Sequence, residues 1–502
     1  MQTKLTKITD YSQFLTILLL VSISCIPLFI AYNYPSFLND DSYITLTFSK
    51  NIAMGKGFIF NHPPSILGTT SPLFSLIVAW LSIILPKIEI PIIAVFLTAF
   101  CWLGINWLFF FFKEEWELNN WQVCILSSII VCTGWIGFLG MEAYFFAYLL
   151  VLTISLFLKK QFFLTGFFSG LLFLTRGEGI LLLVVIISML LFQAWTKRKA
   201  IDKFLLNKLF KIGLGISIPI LIWSVYAYFT FGSFLTNTLG AKQAQVQSGS
   251  FRPFFQRLMS EWMPLWGSSF KLLSFPILNV WWVILFLGFI FVLLHKRNWL
   301  ILVGWIFFYT LGYSILNVAG YWWYVLPILF VLNIFFGLGI IWILELINKY
   351  IKIKKLAFAF SFIMTLFLLF ILSKPNYIYW KTYQGDPRGK SYTNLSQWFR
   401  ENTNSQESIA FIEIGYLGYY TDNRIIDLAG LVLPEIVPHI ANGDFSWGFW
   451  NYAPDYYIYL PDFDWALASI KENPRFDQEY QEVATLVGPR ETNFTIFKRK
   501  IP

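Results

Sequence analysis

Apolar runs of the length that crosses a bilayer recur from Tyr11 to Ser373, and this recurrence leaves few folds open to the chain. A helix needs about 20 predominantly apolar residues to span the hydrocarbon core. Lipid also demands that backbone polar groups be satisfied within the spanning segment. The chain therefore reads as a polytopic α-helical membrane protein. Candidate spans fall at 13–33, 91–112, 121–139, 143–158, 161–175, 179–195, 212–231, 277–295, 299–317, 324–344 and 356–373, with a further short apolar segment at 71–86. Composition agrees: 57% of the residues are hydrophobic and 13% are charged, where a soluble domain carries about 25% charged residues.

The basic residues set orientation. Lys197, Arg198, Lys199, Lys203, Lys208 and Lys211 form the strongest cluster, followed by Lys349, Lys352, Lys354 and Lys355, then Lys296 with Arg297, and Lys159 with Lys160. All four lie in short loops, which the positive-inside rule assigns to the cytoplasm. That parity holds only if 71–86 dips into the membrane without crossing it. The result is about 11 crossings plus one short embedded helix, within a range of about 11–13 membrane helices. The N-terminus is then inside and the C-terminus outside. The net charge of +9 is thereby accounted for by topology, without a nucleic-acid partner. Lys4 and Lys7 precede an apolar run with no small-residue cleavage site after it, which reads as a first membrane helix.

Three segments are left outside: 34–70, 232–276 and the tail. The chain thus divides into a membrane module, 1–374, and a soluble domain, 375–502. In the tail, 391–402 reads as an amphipathic helix with Leu395, Trp398 and Phe399 on one face. Segments 408–414, 424–428, 456–460 and 493–498 read as short strands, enough for a small α/β domain. Cys25, Cys101, Cys124 and Cys132 lie in or beside apolar runs and read as small buried hydrophobes. His62, His295 and His439 are far apart and make no metal motif. No cofactor is expected, and a divalent metal stays open.

Several polar residues interrupt this pattern at the outer face. Asp40 and Asp41 directly follow the first span, where adjacent carboxylates are costly unless they face water or a partner. One of them could act as general base on an acceptor hydroxyl; alternatively the pair caps the following helix. Glu142 lies between two apolar runs, either beside that base or at a helix start favoured by the dipole. Arg176 and Glu178 break an apolar hairpin, as functional groups or as a pair stabilising the break. Lys242 is a cation on the outer face, against the positive-inside trend, and suits a lipid phosphate; the alternative is a solvated surface lysine. Tyr321-Trp322-Trp323-Tyr324 reads first as an interfacial belt and second as a platform for a prenyl chain or sugar.

As an ordered set these motifs resemble GT-C-fold glycosyltransferases, with the bacterial arabinofuranosyltransferase-like and mannosyltransferase-like branch as the nearest group. The resemblance rests on Asp40-Asp41-Ser42-Tyr43-Ile44 with Asn51, Gly55, Gly57 and Asn61, and on Gly68-Thr69-Thr70-Ser71-Pro72-Leu73. It continues through Gly140-Met141-Glu142, Leu174-Thr175-Arg176, Asn237-Thr238 with Ala241-Lys242, Ile414-Gly415-Tyr416, and Ile426-Asp427-Leu428-Ala429-Gly430-Leu431. It implies a polyprenyl-phosphate sugar donor and transfer outside the cytoplasm of a bacterial inner membrane. The acceptor would be an envelope glycan, lipid or protein. Asp40 matches the branch's catalytic carboxylate, Asp41 its acidic neighbour and Glu142 its second acidic residue. Lys242, with Arg176, would meet the donor phosphate, while Glu178, Asn237, Tyr321, Tyr324 and His62 are counted as substrate contacts. Leu67, Thr47, Gly177 and Trp323 depart from the branch's usual residues, which bears on donor identity. Three rival readings are a transporter or flippase of a lipid-linked saccharide, an O-antigen-type polymerase or ligase, and a non-catalytic scaffold.

Overall fold

The computed structural model describes the chain apart from residues 1, 35–36, 61, 197–202, 235, 265–279, 351–355, 357–358, 368–369, 371–380, 382, 384 and 501–502. Long apolar helices dominate it. In chain order they are α1 (Gln2–Tyr32), α2 (Asp40–Ala53), α3 (Pro72–Ile84), α4 (Ile90–Phe111), α5 (Asn120–Cys132), α6 (Ala143–Leu158) and α7 (Phe162–Thr175). Then come α8 (Ile180–Thr196), α9 (Lys203–Phe231), α10 (Asn237–Gln247), α11 (Val280–His295), α12 (Leu300–Leu316) and α13 (Leu326–Tyr350). Among the described residues, six helical stretches are long and apolar enough to cross a membrane, and five shorter apolar helices accompany them. The expected last span, 356–373, lies partly outside the described residues, and 359–367 within it is helical.

Glycines let some of these helices touch backbone to backbone. A Cβ on Gly166 of α7 would sit 2.0 Å from the Ile212 carbonyl oxygen of α9, and one on Gly215 of α9 would sit 2.1 Å from that of Phe163. A second seam joins α11 and α13, where a Cβ on Gly288 would lie 1.8 Å from the Phe335 oxygen and one on Gly339 2.0 Å from that of Ile284. Lipid gives apolar helices no hydrophobic reason to associate, so close van der Waals packing of this kind has to hold them.

The bundle has two distinct ends. At one, the Lys296 ammonium donates to the Glu117 carbonyl, Asn298 Nδ2 donates to the Glu115 carbonyl at 3.1 Å, and Lys159 lies over the Phe112 ring. Three of the links between helices, two of them basic, therefore share this end. The other end carries α2, α10 and the soluble domain. Helix α3 starts at this second end, where Pro72 lines a cavity. Helix α4 runs from the second end to the first, because Thr98 in its first half accepts from the Gly140 amide while its C-terminus meets Lys159. Residues 72 and 90 thus lie on the same side, and α3 returns without crossing. Thirteen residues make a helix of only about 20 Å.

Two expected segments differ. The span at 121–139 is helical only to Cys132; a 3-10 turn at Ile136–Phe138 follows, and Gly140 takes φ +84° to reverse the chain. The outer segment 232–276 is not simply a loop, since it contains α10.

The soluble domain opens with α14 (Gly389–Asn402), which buries Leu395 and Phe399 and leaves Trp398 half-buried, the face its periodicity predicts. Five strands follow: β1 (Ser408–Phe411), β2 (Arg424–Asp427), β3 (Tyr456–Tyr459), β4 (Tyr480–Val487) and β5 (Asn493–Arg499). They form one sheet in the order β2-β1-β3-β5-β4. Strands β1, β2 and β3 pair in parallel, and β5 pairs antiparallel to both β3 and β4. Between β1 and β2 lies the short helix α15 (Gly415–Tyr420). Strand β4 is the one described strand with no sequence-based expectation: it is an edge strand, mostly exposed, and lacks the apolar alternation of a buried face.

The glycine seam makes a direct test. Gly288→Ala should destabilise the bundle by about 1–3 kcal/mol, read as a lowered thermal unfolding midpoint in detergent. An unchanged midpoint would mean that α11 and α13 do not meet this closely.

Candidate functional site

The two adjacent carboxylates of the first outer segment have separate environments. Asn39, not either aspartate, caps α2: its side chain accepts from the Asp41 amide at 3.1 Å. Asp40 is 4% exposed and turns towards the soluble domain. One of its oxygens accepts from the Gly415 amide at 3.0 Å and the other from the Tyr416 amide at 2.9 Å, so it caps α15 instead of its own helix. Gly415 must be glycine here, as a Cβ would lie 1.9 Å from the Asp40 carbonyl oxygen. Asp41, half-buried, faces a cavity. Successive helical residues point about 100° apart, so of the two carboxylates expected to be catalytic it is Asp41 that borders the cavity.

That cavity is small, about 50 Å³, and the more polar of two. Its walls include Asp41, Thr69, Glu142, Thr238, Lys242 and Trp323. Beside it lies a larger one of about 310 Å³, mostly apolar, walled by α7, α8, α9 and α12 through residues such as Phe173, Leu181, Trp223 and Leu316. Thr70, Thr238 and Lys242 line both. The Thr238 hydroxyl is buried with no hydrogen-bond partner among the described residues, an arrangement that costs free energy until a ligand or water supplies one.

The two cations differ in the same way as the two aspartates. Arg176 is 3% exposed and fully engaged. Its Nε reaches Glu178 at 2.5 Å, its Nη1 reaches Glu142 at 3.1 Å, and its Nη2 donates to the Tyr313 hydroxyl at 3.4 Å. Lys242 forms no ion pair among the described residues. Its ammonium instead sits 4.9, 5.4 and 5.5 Å from the ring centroids of Tyr324, Tyr321 and Trp323. The aromatic run first read as a belt is therefore a cage: Trp323 and Tyr324 are buried, and Tyr321 stacks on Trp323 at 4.4 Å.

The soluble domain roofs the site. Asp427, buried at the end of β2, accepts from the amides of Ala429 and Val432, each at 2.8 Å, and so folds the turn that brings Leu431 to the polar cavity. Asn237 Nδ2 donates to the Gly430 and Leu431 carbonyls at 2.8 and 3.0 Å. Its place is thus in the domain contact and not on the cavity wall. His62 is not brought to the site either; it lines a separate small cleft with Arg424 and Val432.

Sequence reasoning missed Glu413. Arg388 bridges it to Asp386, the Tyr392 hydroxyl donates to it, and it adds negative potential at Asp41. The neighbouring Ile414-Gly415-Tyr416 was legible, but Glu413 itself carried no signal. Burial raises Asp41 to about 6; Lys242 opposes the shift, while Glu413 and Glu142 add to it. Burial likewise raises Glu413 and Asp40, with Arg388 opposing both. Among the described residues no group of three or more His, Cys, Asp or Glu is placed to hold a metal.

A family described as a domain of unknown function (DUF8728) matches residues 376–497, the soluble domain. No curated protein matches the sequence. Two crystal structures of ArnT from Cupriavidus metallidurans, one bound to undecaprenyl phosphate and one in the apo state, are similar along the whole chain. Each superposes with a TM-score of 0.55, covering 96% of this chain and 97% of the other, at 12% and 10% identity. At that identity the likeness is one of fold. The chain is a polytopic α-helical membrane protein with the GT-C fold of ArnT, its membrane bundle and its small α/β domain included.

Proposed function

We propose that the chain is an inverting glycosyltransferase that moves a sugar from a polyprenyl-phosphate donor to a hydroxyl of an envelope glycan, lipid or protein. The work would take place on the periplasmic or extracellular side of a bacterial inner membrane. The single observation that carries this reading is the shared wall of the two cavities. The larger one suits a lipid chain, the smaller one suits a sugar, and Lys242 with the unpartnered Thr238 hydroxyl stands where a phosphate would join them. Undecaprenyl phosphate, named as the ligand of one ArnT structure, has the same layout of apolar chain and anionic head.

The residues divide the reaction as follows. Asp41 takes the proton of the acceptor hydroxyl as that oxygen bonds to the anomeric carbon from the face opposite the phosphate. The bond between that carbon and the phosphate oxygen breaks, and the polyprenyl phosphate leaves with the electron pair. Lys242 meets the charge that develops on it, in a site where a fixed cation acts more strongly than in water. Arg176 is spent on Glu142 and Glu178, so its part is to hold those carboxylates in place and not to bind phosphate. Asp40 positions Asp41 by tying α2 to the soluble domain. Which sugar is moved, and whether the arabinofuranosyltransferase-like or mannosyltransferase-like branch is the right one, turns on the donors accepted.

Three outcomes test this in proteoliposomes supplied with a panel of radiolabelled polyprenyl-phosphate sugars and envelope acceptors. First, Asp41→Asn should lower turnover by about 10²–10⁴-fold, and wild-type kcat/KM should fall as the pH drops below about 6, where the base is protonated. Asp40→Asn should lose less and keep that acidic limb; if it loses more, or alone abolishes the limb, the base is Asp40. Second, Lys242→Met should cost about 10–100-fold in kcat/KM for the donor, and an undiminished value would remove Lys242 from the phosphate site. Third, transfer should survive excess EDTA; a loss restored by Mg²⁺ or Ca²⁺ would place a metal among the carboxylates.

A further inference from the structure

A row of aromatic rings leads out of the polar cavity. It starts at Trp323 in the cavity wall and passes to Tyr321, stacked on it at 14°. Phe251 of the middle outer segment follows at 5.6 Å, then Trp465 of the soluble domain at 5.1 Å. Trp465 is 44% exposed and Phe251 half-exposed, so the row ends at the surface. The Tyr321 hydroxyl donates to Gln245 at 2.7 Å, and Tyr321 lies within electrostatic reach of Asp41 and Glu413. Arg252, next to Phe251, has a largely exposed side chain whose guanidinium pairs with Glu261 at 3.3 Å.

Three separate parts of the chain meet in this row, and polar groups flank it. A lipid acceptor would need an apolar wall, yet the row runs onto the water-facing domain. A sugar ring presents C–H groups on its flat face and hydroxyls at its edge. It therefore suits aromatic surface bordered by amide, carboxylate and guanidinium groups. We propose that Tyr321, Phe251 and Trp465 form a binding track for a linear saccharide, the acceptor chain whose terminal hydroxyl reaches Asp41. Its role as the acceptor's path rests on the glycosyl-transfer reading above, whereas saccharide binding does not.

Direct binding separates the two. Saturation-transfer NMR would measure linear mannose and glucose oligosaccharides of one, two and four residues against the full-length protein in nanodiscs. Wild type should bind more tightly with length, by about five- to tenfold from one residue to four. Trp465→Ala and Phe251→Leu should flatten that dependence. Trp465→Phe should retain most of it, and Val487→Ala, on the remote exposed edge strand, should leave it intact. Unchanged thermal unfolding of the Trp465 variants would exclude loss of domain packing as the cause. Failure of any oligosaccharide to bind, equal binding at all lengths, or length dependence that survives Trp465→Ala would overturn the track and make the row interdomain packing only. Length-dependent binding by a protein that transfers no sugar would uphold the track and defeat the glycosyltransferase reading. Transfer without length dependence would do the reverse.

Discussion

The carboxylate of Asp40 is the contact on which the arrangement of this protein turns. A buried carboxylate is costly unless its oxygens are hydrogen-bonded, and here each receives one backbone amide from the start of α15. Hydrogen bonds to a charged group contribute about 1.5–3 kcal/mol each, and the helix N-terminus adds a favourable dipole. Around this point the Tyr416 hydroxyl donates to the Leu38 carbonyl at 2.7 Å, the Lys50 ammonium donates to the Tyr419 carbonyl at 2.7 Å, and Asp386 offers its amide to Phe37 at 2.9 Å. A soluble domain is thereby seated on the first outer segment. Without that seat neither Leu431 nor Glu413 would be near Asp41.

Seating the domain also creates the contrast between the two cavities. The larger is enclosed by membrane helices and inherits their apolar character. The smaller lies where α2, α10, the turn before α6 and the domain's β2 turn converge, and the first three bring Asp41, Thr238, Lys242 and Glu142 to it. Cations are shared out to match. Arg176 sits deep and is neutralised by two carboxylates, as a buried charge must be. Lys242, on a flexible stem and surrounded by ring faces, retains an uncommitted charge at the junction. Cation–π contacts stabilise such an ammonium by only about 0.5–2 kcal/mol, little enough for an anionic ligand to compete.

Most of the architecture was legible before the fold was known. Apolar length measured against bilayer thickness, and basic residues clustered in short loops, are properties of short stretches of chain. They located the spans and pointed to α3 as a segment that does not cross. The tail's helix and four of its strands were readable for the same reason: each buries a face whose pattern is local. Strand β4 was not, because an edge strand held by a single neighbour needs little apolar pattern. The ordered motifs also converge in space. Gly68-Thr69-Thr70, Glu142, Arg176 and Ala241-Lys242 all reach the site or support it.

Roles within those regions were a different matter. That a carboxylate pair follows the first span is written in the chain. Which of Asp40 and Asp41 meets the cavity depends on how α2 is rotated against a domain nearly 400 residues away in sequence. In the same way, Arg176 has only Glu178 beside it on paper, and the approach of Glu142 from another helix pair supplies its second carboxylate. Asn237 looks like a site residue by motif, yet the folded chain employs it, together with Asp427, to close the roof. The sequence by itself determined where lipid, water and charge divide the chain, since burial in lipid acts residue by residue along a segment. The tertiary structure decided which polar group faces which, because a side chain's direction and its partner's distance exist only once distant segments have packed.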